Sequence, residues 1–179
     1  MSGFEYLSVL LSIIIGLGLT HIAKGITRSV IARETDQTRL VYALFTILVI
    51  LLNWWVIFQW SDHENWTFSE FLVLVGWAFG HYLMAITLYP PADSHSGSFE
   101  NYRHWFMWTF VVMTFMDMAQ TALRGDFFNP WYYSIFVGHY SLLALSGIFI
   151  KSSRYHRILS WWFLGVTLTW ALIVRRFLG

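Results

Sequence analysis

The stretch that decides the fold is "YLSVLLSIIIGLGLTHIA", Tyr6 to Ala23, an apolar run without any Lys, Arg, Asp or Glu. The run is continuous rather than alternating, which favours a helix over a β-strand. About 20 apolar helical residues cross the hydrocarbon core of a bilayer, since each adds about 1.5 Å of rise. No basic stretch precedes the run and no small-residue cleavage site follows it. We therefore interpret it as a membrane span rather than a removable signal peptide.

The composition of the whole chain is also strongly apolar. Of its 179 residues, 57% are hydrophobic and 12% are charged, whereas a soluble domain usually has about 25% charged residues. We therefore expect a lipid bilayer to be its solvent. The net charge of +1 gives no basic footprint for nucleic acid. The absence of cysteine excludes disulfides, thiolate metal sites and thiol catalysis.

Further apolar runs predict an all-α, polytopic integral membrane protein with about six transmembrane helices in a compact bundle. Pro90 and Pro91 end the third run, and Pro130 lies just before the fifth, a position that suits a helix start. We expect one transmembrane domain, residues 1–179. Its predicted spans are 6–29, 40–60, 68–89, 104–123, 131–150 and 159–174, of which the last is the shortest.

The basic residues predict an orientation, because Lys and Arg favour cytoplasmic connections. Most of them fall in or beside the first, third and fifth connections, so the N-terminus is predicted on the outer side. With six spans the C-terminus lies there too, which leaves Arg175 and Arg176 on the less favoured side. The basic residues on the predicted cytoplasmic side are Lys24, Arg28, Arg33, Arg39, Arg103, Lys151, Arg154 and Arg157. Tryptophans near the predicted span ends, Trp60 among them, are typical of an interfacial aromatic belt.

The opening "YLSVLLSIIIGLGLTH", with "NWW", "WTFSEF" and "LYPP" downstream, resembles a group of small, uncharacterised multi-pass membrane proteins of bacteria. The resemblance covers much of the first half of the chain, up to about Pro91. It implies a location in the bacterial inner membrane. It brings no activity and no site residue with it.

Ionisable side chains within spans are costly and often functional. Asp117 lies about 9 Å and His139 about 12 Å from the outer ends of their spans, at a rise of about 1.5 Å per residue. Because spans four and five are joined by a short connection, we expect this pair to meet. The pair either borders a hydrated path or only holds two helices together. Polar neighbours on or beside the face of Asp117 are Thr114, Gln120, Thr121 and Arg124.

Three histidines form a second predicted level in the inner half of the membrane. His21 lies about 22 Å deep and His81 about 20 Å deep, so we expect them to meet, with His104 below them. Histidine titrates near neutral pH and can line or gate an ion path. Two histidines on different helices can also ligate haem iron, which makes His21 and His81 candidate haem ligands.

Small residues predict close helix contacts. Residues four apart share a helix face, and small side chains on that face let another backbone approach. In span three, "GWAFG" places Gly76 and Gly80 in this pattern. Span one contains a second set, which we call the small-residue stripe: Ser8, Ser12, Gly16 and Thr20. Each set can pack within one subunit or between subunits.

Several enzyme classes are excluded by missing patterns. The chain contains no HExxH, GxSxG, P-loop or GxGxxG motif, and intramembrane aspartyl proteolysis needs two deep carboxylates where only Asp117 is present. No metal site is predicted, and a non-enzyme is favoured. We consider an ion or proton pathway built by a homo-oligomer, an accessory protein that binds lipid or another membrane protein, and a b-type haem electron-transfer protein.

Overall fold

The computed structural model describes residues 3–90, 99–128 and 130–173, which contain helices and turns but no strand. The prediction of an all-α chain is therefore confirmed for these residues. A 3₁₀ turn at Ile57–Trp60 extends the second helix. The helices are α1 Gly3–Ile31, α2 Gln37–Val56, α3 Phe68–Leu88, α4 Phe99–Leu123, α5 Trp131–Phe149 and α6 Ser153–Ile173.

Five of these helices, α1 to α5, are long and apolar enough to cross a bilayer, with Gln37–Trp60 taken together. Helix α6 has 21 residues, which corresponds to about 32 Å. It begins at Ser153 rather than at the predicted residue 159, so it includes the polar turn with Arg154 and Arg157. Residue 174, Arg175 and Arg176 lie outside the described residues.

Local capping explains where two helices begin. The Asp36 side chain accepts hydrogen bonds from the backbone N–H groups of Thr38 and Arg39, at 2.8 and 3.2 Å, at the start of α2. Thr67 and Glu70 form a reciprocal capping box at the start of α3. Such caps satisfy N–H groups that have no partner inside the helix.

The helices pack out of sequence order. Helix α3 lies between α1 and α4, α5 packs on α4, and α6 packs mainly on α2 rather than on its neighbour α5. An aromatic cluster of Phe45, Phe110, Tyr140 and Phe163 joins α2, α4, α5 and α6. Phe163 stacks on Phe45 and meets Phe110 edge-on, each with ring centroids 5.2 Å apart.

The two sets of small residues have different surroundings. Helix α1 turns residues such as Leu11, Ile14 and Ile22 into the core, and its small-residue stripe lies partly or fully exposed. A Cβ atom on Gly16 would meet nothing within 4 Å, so among the described residues no other helix packs closely against this position of the stripe. The larger apolar side chains bury more surface and take the inner face instead.

In α3, by contrast, both glycines face α4. A Cβ atom on Gly80 would lie 2.7 Å from Met113 Sδ, and one on Gly76 would lie 3.9 Å from Met116 Sδ. The GxxxG pair therefore lies at a contact between two helices of the same chain. Helix α4 approaches Gly80 more closely than Gly76.

Candidate functional site: a polar cluster and cavity inside the bundle

Asp117, on α4, is surrounded by hydrogen-bond donors. Its Oδ2 atom accepts from the Tyr133 hydroxyl at 2.7 Å. Its Oδ1 atom accepts from Trp77 Nε1 at 3.2 Å and from Gln120 Nε2 at 3.4 Å. An ionised carboxylate is only an acceptor, so donors from α3, α4 and α5 match its chemistry.

The network continues from Asp117 through buried side chains. Gln120 accepts a hydrogen bond from Trp60 Nε1 at 3.1 Å and donates one to the Thr121 hydroxyl at 2.9 Å. That hydroxyl in turn lies 2.9 Å from the Tyr133 hydroxyl. We call the group the polar cluster. It consists of Trp60, Trp77, Asp117, Gln120, Thr121 and Tyr133.

A cavity of about 70 Å³ lies beside Asp117, between α2, α4, α5 and α6. This volume is enough for at least one water molecule. Its lining is largely apolar, and Tyr140, which also lines it, donates to the Phe163 carbonyl at 3.2 Å. The polar side chains that line it are Asn53, Thr114, Asp117, Tyr140 and Thr167.

His81 connects to the same region through Trp77. The Trp77 carbonyl lies 2.9 Å from His81 Nδ1 and can only accept, which places the proton on Nδ1. The Nε2 atom then accepts from Asn53 Nδ2 at 2.7 Å. His81 is fully buried. Since Trp77 bonds both His81 and Asp117, the two predicted levels are linked on α3.

His21 is not paired with His81, so that prediction is wrong. His21 Nε2 bonds the carbonyl of Tyr89 at 2.6 Å. Tyr89 follows His81 by eight positions, about 12 Å along a helix axis. His104 is exposed and lies beside the Trp105 ring, with centroids 5.1 Å apart.

The predicted pairing of Asp117 with His139 is also wrong. Helix α5 turns Tyr133 and Val137 toward the core, and His139, two residues after Val137, points to the opposite side because each helical residue advances about 100°. His139 Nε2 accepts from Trp162 Nε1 of α6 at 3.0 Å. Arg124 is not bonded to Asp117 either, because its Nε donates to Asp126 at 2.5 Å in the turn after α4.

Sequence reasoning found Asp117, Gln120 and Thr121 but missed their donors on other helices. The sequence predicts Trp60 in the aromatic belt, whereas Trp60 is 1% exposed. Trp77 and Tyr133 received no role. A usable signal is that buried indole N–H and phenol O–H groups need a hydrogen-bond partner.

The histidines do not fit a haem between two imidazoles. Both ring nitrogens of His81 are hydrogen-bonded, and His21 Nε2 is bonded to a backbone carbonyl. Within residues 3–90, 99–128 and 130–173, no three His, Asp or Glu side chains are grouped to hold a metal ion.

Comparison with known proteins gives no relative: no family model, no curated protein and no solved structure matches the chain.

Proposed function

We propose that the protein is a six-span integral membrane protein that moves protons or a small cation through the interior of each subunit, with Asp117 as the exchange site. The observation that supports this proposal is the cavity that brings the Asp117 carboxylate together with Asn53 and hydroxyl groups inside the bundle. A carboxylate at membrane depth is costly, and such residues commonly mark ion and proton pathways.

The chemistry of the cavity suits transfer of a proton or a cation. Water in the cavity would contact Asp117 together with the hydroxyls of Thr114 and Thr167. Asn53 borders the cavity and is bonded to His81, which provides a second titratable group deeper in the bundle. The route therefore runs from the polar cluster toward His81.

We retain the homo-oligomer but place the path within each subunit rather than at the oligomer axis. The small-residue stripe of α1 is partly or fully exposed and is available to a second copy of the chain. The proposed location is the bacterial inner membrane, with the N-terminus on the outer side. The partners are then lipid and a second copy, and nucleic acid is not among them.

The test measures proton uptake into liposomes that contain a pH-sensitive dye, under an imposed potassium diffusion potential. We expect the wild-type protein to carry flux and Asp117→Asn to abolish it, because the amide cannot exchange a proton. Asp62→Asn is the matched control, since Asp62 is exposed in a connection. Wild-type flux equal to that of empty liposomes at every pH and voltage, for protons and, with a sodium-sensitive dye, for sodium, would overturn the proposal.

A second candidate is an accessory protein without transport activity. The observation that favours it is that Asp117 bonds side chains of α3 and α5, so the carboxylate connects three helices. On this hypothesis Asp117→Asn lowers the melting temperature and wild-type protein shows no flux. Full stability of Asp117→Asn with loss of flux would exclude it.

A further inference from the structure

A groove runs along α6 and is bordered by Phe136 of α5. Although α5 and α6 are consecutive, they make few contacts, because α6 packs mainly on α2. The groove has a volume of about 450 Å³ and an almost entirely apolar lining. Phe136 of α5 stacks on Trp170 of α6 at one end, with ring centroids 4.0 Å apart. The floor is open at Gly165, where a Cβ atom would meet nothing within 4 Å.

Basic residues lie at the other end of this groove. Beyond Trp161 and Trp162 the groove continues into a surface depression that includes Arg157. Lys151 and Arg154 lie nearby in sequence, and all three cations are exposed. Across the part of the chain that the structure describes, no carboxylate pairs with any of the three. Glu100, bonded to Ser153, is one of the acidic residues at this end.

We propose that the groove binds an anionic phospholipid, with an acyl chain along Trp162 and Gly165 and the phosphate at Arg157 and Arg154. Charge complementarity supports this occupant, because arginine donates paired hydrogen bonds to phosphate oxygens. Trp161 and Trp162 lie where the apolar groove meets the depression with Arg157, and tryptophan is common at the level of the lipid headgroups. The inference rests on the proposed membrane location and not on ion flux.

The predicted orientation of the protein in the membrane is consistent with an anionic phospholipid in this groove. The start of α6 lies at the end of the bundle that the basic residues predict to be cytoplasmic. Anionic lipids are concentrated in cytoplasmic leaflets, and each nearby arginine strengthens binding by about fivefold. A zwitterionic lipid with the same acyl chains fills the groove equally well but lacks the net negative charge.

The test is native mass spectrometry of the detergent-solubilised full chain, titrated with phosphatidylglycerol and with phosphatidylcholine of identical acyl chains. We expect tighter binding of phosphatidylglycerol, and we expect Arg154→Gln with Arg157→Gln to remove that preference. Gly165→Leu fills the groove and should weaken binding of both lipids. Gly138→Leu is the matched control, because Gly138 is an equally open helical glycine outside the groove.

Two results would overturn the proposal. One is equal affinity of the wild-type protein for the two lipids, and the other is unchanged lipid binding in Gly165→Leu. If Gly165→Leu instead alters the number of subunits in the detergent complex, the groove is an interface for a second copy. The melting temperature of each variant verifies that it is folded.

Discussion

At the scale of residues, Tyr133 holds the Asp117 carboxylate against α5. Its hydroxyl lies 2.7 Å from Asp117 Oδ2 and 2.9 Å from the Thr121 hydroxyl. Tyr133→Phe removes this donor and leaves a partly buried carboxylate with one partner fewer. We expect the free energy of unfolding to fall by about 1–3 kcal/mol, measured by thermal unfolding in detergent micelles.

The neighbouring tyrosine provides the control for this prediction. Tyr132 is 39% exposed and packs its ring against Trp170. Tyr132→Phe keeps that ring contact and should leave the melting temperature unchanged. Equal effects of the two substitutions would mean that the Tyr133 hydroxyl contributes nothing specific to the polar cluster.

The part of the polar cluster on α4 could be predicted because spacings of three and four place residues on neighbouring parts of one helix face. The grouping of Asp117 with Gln120 and Thr121 follows from this spacing alone. Predicting Trp77 and Tyr133 as members of the cluster requires knowing how α3 and α5 are rotated about their axes. Packing between helices sets that rotation. The rotation of α5 also turns His139 away from Asp117 and toward Trp162.

At the scale of elements, Gly25 of α1 lies against Tyr89, the residue that follows α3. A Cβ atom there would lie 2.2 Å from Tyr89 Cγ, an atom that moves only if the whole Tyr89 side chain rotates about χ1. We therefore expect Gly25→Ala to destabilise the fold by about 1–3 kcal/mol through overpacking. The measurement is the melting temperature of purified protein in detergent.

Gly16→Ala is the control on the same helix. A Cβ atom at Gly16 meets nothing within 4 Å, and alanine favours the helical state over glycine by up to about 1 kcal/mol. Gly16→Ala should be neutral or slightly stabilising. A melting temperature of Gly25→Ala as high as that of Gly16→Ala would contradict the close approach of Tyr89.

The apolar length of each run predicts that a helix exists, but it does not predict the starts of α4 and α6 or the buried face of α1. Helix α4 begins at Phe99 rather than residue 104, because its helical turns extend past the apolar stretch into residues such as Glu100 and Asn101. In α1, apolar side chains occur all around the helix, so hydropathy alone does not select the buried face. The small-residue stripe was therefore not assigned to a face.

At the scale of the whole molecule, the basic connections predict which end of the bundle faces the cytoplasm. The chain has no cysteine, so single cysteines report topology without background. Glu34 and Asp62 lie in successive connections, and both are exposed. In spheroplasts, a membrane-impermeant maleimide should label Asp62→Cys directly, whereas Glu34→Cys should require lysis, because Lys and Arg hold its connection inside. The reverse pattern would invert the orientation.

The same labelling decides whether α6 crosses the membrane. Its 21 residues give about 32 Å of helix, enough for a hydrocarbon core of about 30 Å, even though its first turn is polar. A crossing helix brings the C-terminus to the side of Asp62, so Gly179→Cys should be labelled in intact spheroplasts. Labelling only after lysis would reduce the spans to five and place Arg175 and Arg176 on the cytoplasmic side. That result would show that the charge bias of the C-terminal arginines outweighs the apolar length of α6.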